Sequence, residues 1–171
     1  MRNILAATLA IVFTGVAGSV WAHDAPAHRG HGAHHAPSVD VSALPSSEAV
    51  RVEGCWIRLL PAPAPSAGYF VVKNEGDRAV KLTGASTKAF GSTMLHETTH
   101  EGGMSRMSMT HDVEIAAGQE LVFKPGGYHA MLEQPTDDVK VGAILPVAFI
   151  FDGKEKVEAQ CEVKPANTIA P

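Results

Sequence analysis

Two cysteines occur in 171 residues, Cys55 and Cys161, and no C-x-x-C is present. Thiolate metal capture and dithiol exchange therefore lack their usual close spacing. Also missing are G-x-S-x-G, H-E-x-x-H and a glycine-rich phosphate loop, so hydrolases, zinc proteases and nucleotide-binding proteins lose their compact signatures. An enzyme is not expected. Helical periodicity is nearly absent and there is no internal repeat. Lys and Arg number 14 against 18 Asp and Glu, a formal charge of −4 with neutral histidines. With no basic stripe, nucleic acid is not an expected partner.

The chain opens with Met1-Arg2-Asn3, an apolar run from Ile4 to Val20 and the small-residue cleavage pattern Val20-Trp21-Ala22. This reads as a secretory signal peptide over residues 1–22, cleaved after Ala22. Thr14-Gly15 and Gly18-Ser19 interrupt the run, which suits a cleaved segment better than a retained anchor, so no membrane insertion is expected after cleavage. Residues 23–48 are rich in His, Ala, Pro, Gly and Ser and read as a disordered tail. Residues 165–171 offer little to bury. One folded domain is expected over residues 49–164. In an exported chain two cysteines most simply form one disulfide, clasping the first strand to the last and stabilising the fold by about 4–5 kcal/mol.

Within the domain, short β-branched and apolar runs alternate with turn residues. Strands are predicted near Val50–Leu59, Ala67–Asn74, Ala79–Ser86, Ser92–Thr98, Met104–Thr110, Val113–Ile115, Glu120–Lys124, Tyr128–Glu133, Ala143–Phe151 and Lys156–Val163. Turns are predicted at Asn74-Glu75-Gly76-Asp77, Glu101-Gly102-Gly103, Ala117-Gly118-Gln119, Pro125-Gly126-Gly127 and Asp152-Gly153-Lys154. The pattern describes an all-β sandwich or small Greek-key barrel. The segment Leu60-Pro61-Ala62-Pro63-Ala64-Pro65 is too proline-rich for a strand interior; it either borders a site or covers an open end.

His96, Met107, His129 and Met131 stand in the spacing H-x10-M-x21-H-x-M. Thioether sulfur prefers a soft ion and imidazole suits copper, so the set points to Cu(I) before zinc, calcium or magnesium. Strand alternation places Met94 with His96, Met107 with Met109, and His129 with Met131 on common faces. The turn at Glu101-Gly102-Gly103 sets His96 opposite a position between Met107 and Met109, with the register open, and the three pairs are expected to line one rim of the barrel. Methionines in β proteins usually fill core gaps. Here, however, five of the six crowd into residues 94–131 beside four histidines. Thioethers also hold Cu(I) outside the cytosol without being locked into disulfides. Protonation of the imidazoles should weaken binding as pH falls.

The stretches PSAGYFVVKNEGD (65–77), LHETTHEGGMSRMSM (95–109) and KPGGYHAML (124–132) resemble the periplasmic copper A chaperone family, whose signature H(M)-x10-M-x21-H-x-M is matched by His96, Met107, His129 and Met131. The resemblance covers about residues 49–163. It implies a cupredoxin-like β-barrel in the periplasm, a solvent-accessible Cu(I) site, and delivery towards the copper A centre of cytochrome c oxidase, with the copper A domain and Sco-type or thioredoxin-like proteins as partners. The family's optional methionine after the first histidine is Glu97 here. Cys55 and Cys161 lie outside the copper motif, which supports a structural clasp.

Met94, Met104, Met109, His100 and His111 are candidate auxiliary or transfer ligands, with surface or packing roles the simpler reading. His23, His28, His31, His34 and His35 in the tail form a candidate Cu(II) collector, equally readable as a solubilising tail; cleavage would make His23 the amino terminus. Two rival binding functions remain. A blue-copper carrier requires a thiolate with nearby histidine or methionine, which neither cysteine has. Copper storage or resistance without dedicated delivery would use the same ligands.

Overall fold

The computed structural model describes residues 40–169. The signal peptide expected over residues 1–22 and the histidines His23, His28, His31, His34 and His35 lie outside the described residues. Ten strands follow one short 3-10 turn, Val41–Ala43: β1 Val50–Arg58, β2 Ser66–Asn74, β3 Val80–Ser86, β4 Phe90–Glu101, β5 Met104–Met109, β6 Val113–Ile115, β7 Glu120–Phe123, β8 Tyr128–Pro135, β9 Ile144–Phe151 and β10 Glu155–Lys164. All ten sequence-predicted strands are present. The main departure in extent is β4, which continues through His100 to Glu101. The segment 40–48, grouped above with the tail, lies along β10. Ser47 N donates to Lys156 O at 2.8 Å and Lys156 N to Pro45 O at 2.9 Å.

The strands run in the order β5-β4-β8-β2-β1-β10-β9-β3-β6, with β7 alongside the second half of β2. Neighbours are antiparallel except β1 and β10, which are parallel. The sheet curls around an apolar core in which Phe70 of β2 stacks on Phe123 of β7 at 4.2 Å and meets Phe149 of β9 at 4.3 Å. Each such ring, fully removed from water, contributes about 1.5–3 kcal/mol. This is the cupredoxin-like, all-β architecture expected. Cys55 and Cys161 are bonded between the paired strands β1 and β10, 106 residues apart in sequence. Buried Asn74 closes the β2 end, donating from Nδ2 to the carbonyls of Arg78, Ile115 and Ala116 and accepting from Gly76 N.

One irregularity positions everything that follows. Gly54 adopts φ +58°, and the β1/β2 register jumps there: Glu53 faces Val71, but Trp56 faces Tyr69. One extra residue on β1 is a bulge, and it reverses which residues point inward. Val50 and Val52 face the core before it; Cys55 and Ile57 do so after it. Trp56 and Arg58 consequently share the outer face with Tyr69, where Trp56, Ala67 and Tyr69 form a separate small apolar cluster.

Candidate metal centre

The second cluster marks a sheet face turned away from the main core. On β4 and β8 the core takes Leu95, Ala130 and Leu132, so alternation sends Met94, His96, His129 and Met131 to the other face. Cross-strand pairing arranges them: His96 lies opposite His129, and Met94 opposite Met131. On its other side, His96 faces Met109, and Thr98 faces Met107. The register left open by the sequence therefore sets Met109 directly across from His96 and places Met107 on the diagonal. All three predicted pairs share one face of the sheet. They do not line a barrel rim, because β5, β4 and β8 lie side by side.

Both histidines are buried, at 7% and 8% exposure, although most of β5 beside them is open. Their rings stack with centroids 5.8 Å apart. Nδ1 of His129 lies 3.0 Å from the Gly127 carbonyl. As donor to that carbonyl, Nδ1 carries the proton, leaving Nε2 with its lone pair free. Nδ1 of His96 is buried with no hydrogen-bond partner among the described residues. An orphaned buried polar atom costs about 1–3 kcal/mol, and a soft cation taking its lone pair would remove that cost. Burial chiefly lowers the pKa of His129 from its ordinary 6.5; the Gly127 carbonyl opposes the shift, while His96 and Arg58 add to it. The neutral, ligand-competent ring is thereby favoured.

Met107, His129 and Met131 line a cavity of about 230 Å³ together with Arg58, Leu60, Pro65, Tyr69 and Thr98. The proline-rich segment thus borders the site, and Leu60 N donates to Ser66 Oγ to hold it there. Arg58, Tyr69 and Thr98 were not singled out from the sequence. Arg58 and Tyr69 reach this face through the Gly54 bulge and the β1/β2 pairing, and the glycine within a strand pattern was the available signal. Burial pushes the Tyr69 phenol up, partly offset by Arg58, so the ring is a neutral partner to Arg58. Met107 and Met109 are half exposed, at 55% and 51%.

The remaining candidates separate. His100 lies with Nε2 3.1 Å from Gly126 O and Nδ1 2.9 Å from Ser105 Oγ. Both nitrogens are engaged, and the side chain ties the β4-β5 hairpin to the turn preceding His129. Met104, 75% exposed, is opposite in parity to Met107 and Met109 and so lies on the other face of β5. His111 is exposed beyond the end of β5. Glu97 lies on the opposite face from His96, paired with Tyr128, whose phenol is pushed up by burial and then by Glu97. Among the described residues no three His, Cys, Asp or Glu side chains form a cluster able to hold a metal. A metal on this face must therefore draw on methionine sulfur.

Several solved structures resemble the chain. The Cu(I) form of DR1885 from Deinococcus radiodurans is 29% identical, with TM-score 0.55 over 70% of this chain and 80% of that one. Its apo form is 27% identical, with TM-score 0.55 over 94% and 100%. The apo PCuAC domain of PmoF2 shares the fold at TM-score 0.61 and 19% identity, over 75% of this chain and 99% of that domain. Among curated sequences, an uncharacterized protein of Rickettsia prowazekii, RP573, is 28% identical over 77% of this chain and 78% of its own length. A protein of Leifsonia xyli described as "Putative lipoprotein Lxx21020" is 26% identical over 88% and 82%. Residues 50–163, essentially all of β1 through β10, match the family model "Putative lipoprotein LpqE-like", and the chain belongs to that family.

Proposed function

We propose that this domain is a periplasmic copper chaperone that binds Cu(I) through His96, Met107, His129 and Met131 and passes it towards the copper A centre of cytochrome c oxidase. The observation that carries the reading is the buried, stacked pair His96 and His129, with the orphaned Nδ1 of His96, flanked on the same face by Met131 and Met107. Two imidazoles and two thioethers make a neutral, soft donor set suited to Cu(I). The half-exposed Met107 on the edge strand offers a side from which a recipient can take the ion. Similarity to Cu(I)-bound DR1885 supports copper as the cargo. The lipoprotein description of the family supports an extracytoplasmic location. The leader over residues 1–22 accounts for export, and residues 23–48 supply a histidine-rich Cu(II) collector.

Titration of Cu(I) against a chromophoric chelator tests the ligand set. Tight binding in the intact mature protein and its loss in a Met107→Ala/Met131→Ala variant are expected; survival of the tight site in that variant excludes these sulfurs. Delivery is tested by mixing Cu(I)-loaded protein with an apo copper A domain, with and without a Sco-type protein. Failure of transfer in both mixtures favours storage or resistance. Unchanged Cu(II) stoichiometry after removal of residues 23–36 excludes the tail as a collector.

A further inference from the structure

Arg58 shares the cavity of Met107, His129 and Met131. It stands on a transverse row, Arg58, Ala67, Met131 and Met94, that crosses β1, β2, β8 and β4. Neighbouring strands lie about 4.8 Å apart, so the backbones of Arg58 and Met131 are roughly 10 Å from one another. The residue between them is the small Ala67, and Arg58, Ala67 and Met131 line the same cavity.

Tyr69 holds the guanidinium in place. Arg58 Nη2 donates to Tyr69 Oη at 2.6 Å, and Cζ sits 5.3 Å from the ring centroid. The phenol ring lies 6.5 Å from that of His129. Arg58 Nε is buried and has no hydrogen-bond partner among the described residues. Among the described residues, ion pairs involve Arg51, Lys73, Lys156 and Lys164, and none involves Arg58. An uncompensated positive charge therefore borders three of the four candidate donors, the His129 imidazole and the Met107 and Met131 thioethers.

We propose that Arg58 sets the oxidation-state preference of the site, its fixed positive charge disfavouring Cu(II) relative to Cu(I). The inference rests on the ligand set proposed above. Repulsion from a fixed unit charge is twice as large for a divalent ion as for a monovalent ion at the same point. With an effective dielectric of about 20 and a separation near 10 Å, the extra unit of charge corresponds to about a tenfold change in binding. Added salt reduces the effect. Sulfur softness favours Cu(I) through bonding; Arg58 adds a preference through charge that does not depend on the sulfurs. Among the described residues the side-chain hydrogen bond of Arg58 goes to Tyr69 and not to a candidate ligand, so Arg58 acts as a specificity-determining neighbour, with Tyr69 as its positioning residue.

The test compares Arg58→Gln and Arg58→Lys in the full mature chain, with the five tail histidines replaced by alanine in every sample so that Cu(II) is read at this site alone. Gln removes the charge without adding a sulfur; Lys keeps it. Affinities for Cu(I) and Cu(II) ions are measured by chelator competition at low ionic strength. Arg58→Gln is expected to raise Cu(II) affinity about tenfold more than Cu(I) affinity. That ratio is a fall of about 59 mV in the reduction potential of the bound ion. Arg58→Lys should leave the ratio near its original value. A second neutral variant, Arg58→Leu, keeps the test open if Gln disturbs the Tyr69 contact. An unmoved ratio in both neutral variants, or an equal change in Arg58→Lys, overturns the role of Arg58. The Met107→Ala/Met131→Ala variant is the separate control: if it retains tight Cu(I) binding, the ligand set itself falls.

Discussion

His96 and His129 occupy directly opposed positions on β4 and β8, their rings stacked 5.8 Å apart. Backbone pairing thus sets their separation, independently of any flexible loop. Two donors held by adjacent strands are largely pre-organised, so a metal would meet little ordering cost at that half of the site. The sulfur half differs. Met107 rides on β5, an exposed edge strand that pairs with β4 alone among the described residues. The proposed coordination sphere therefore joins a rigid imidazole pair to a more adjustable thioether.

The lowered pKa of His129 gives a pH dependence with a defined sign. Its folded value lies below the ordinary 6.5, chiefly because the ring is buried. Between the two values the unfolded chain binds more protons than the folded one, so stability rises with pH there. Stability is fully present above about pH 6.5 and is lost as pH falls through the lowered folded value. Denaturant midpoints measured from pH 7.5 down to 5 should fall in the wild type, with a smaller fall in His129→Gln. Parallel curves for the two proteins would remove His129 as the source. Cu(I) affinity should stay nearly flat down to the lowered folded value of His129 and weaken as pH falls through it, because proton and metal compete for the same ring.

The disulfide and the candidate copper site are predicted to be separable. Cys55 joins Cys161 on the core side of the sheet, whereas His96 and His129 face outward. Closing a loop of this length stabilises by about 4–5 kcal/mol in the chain-entropy model. A Cys55→Ala/Cys161→Ala variant should lose most of that in a urea titration. Where it remains folded, its Cu(I) affinity should match the parent. A parallel loss of copper affinity in the folded variant would show that the clasp also shapes the outer face.

Gly54 links the fold to the site. A methyl group at this position would meet nothing within 4 Å, so Gly54→Ala should cost only the strain of a positive φ, about 1–2 kcal/mol. Deleting Gly54 is a different change. It removes the bulge and restores unbroken alternation, so Val50 and Val52 cannot face the core together with Ile57. Loss of a cooperative unfolding transition is expected for the deletion alone. Normal folding of the deletion variant would refute the role of the bulge.

What could be read beforehand follows the same physics. Alternating β-branched runs and turn residues located all ten strands, since each run carries its own period. Alternation also paired Met94 with His96 and His129 with Met131. It could not choose between Met107 and Met109 as the partner facing His96, because cross-strand register depends on contacts far apart in sequence. Arg58 was hidden for a related reason: a one-residue bulge at Gly54 changes the outward parity of β1, and alternation alone does not reveal it; Tyr69, on β2, joins this face only through the long-range pairing of β2 with β8. Composition places the segment 40–48 in the tail, yet Ser47 N donates to Lys156 O and Lys156 N donates to Pro45 O, bonds that composition does not encode.

His100 gives the last prediction. Four residues beyond His96, it is a candidate auxiliary ligand by spacing, yet both ring nitrogens are engaged, one with Gly126 O and one with Ser105 Oγ. Those contacts tie the hairpin bearing Met107 to the turn that leads into His129. Each hydrogen bond contributes about 0.5–1.5 kcal/mol, so losing both should loosen β5 without unfolding the core. In His100→Ala, release of Cu(I) to a competing chelator should accelerate about three- to tenfold, while the denaturant midpoint changes little. Ser105→Ala, which removes one contact, should show a smaller acceleration. A direct ligand would behave otherwise: its removal would change Cu(I) stoichiometry or coordination, and Ser105→Ala would have no effect. X-ray absorption of the Cu(I) complex separates the two cases, since a positioning residue leaves the nitrogen and sulfur count unchanged.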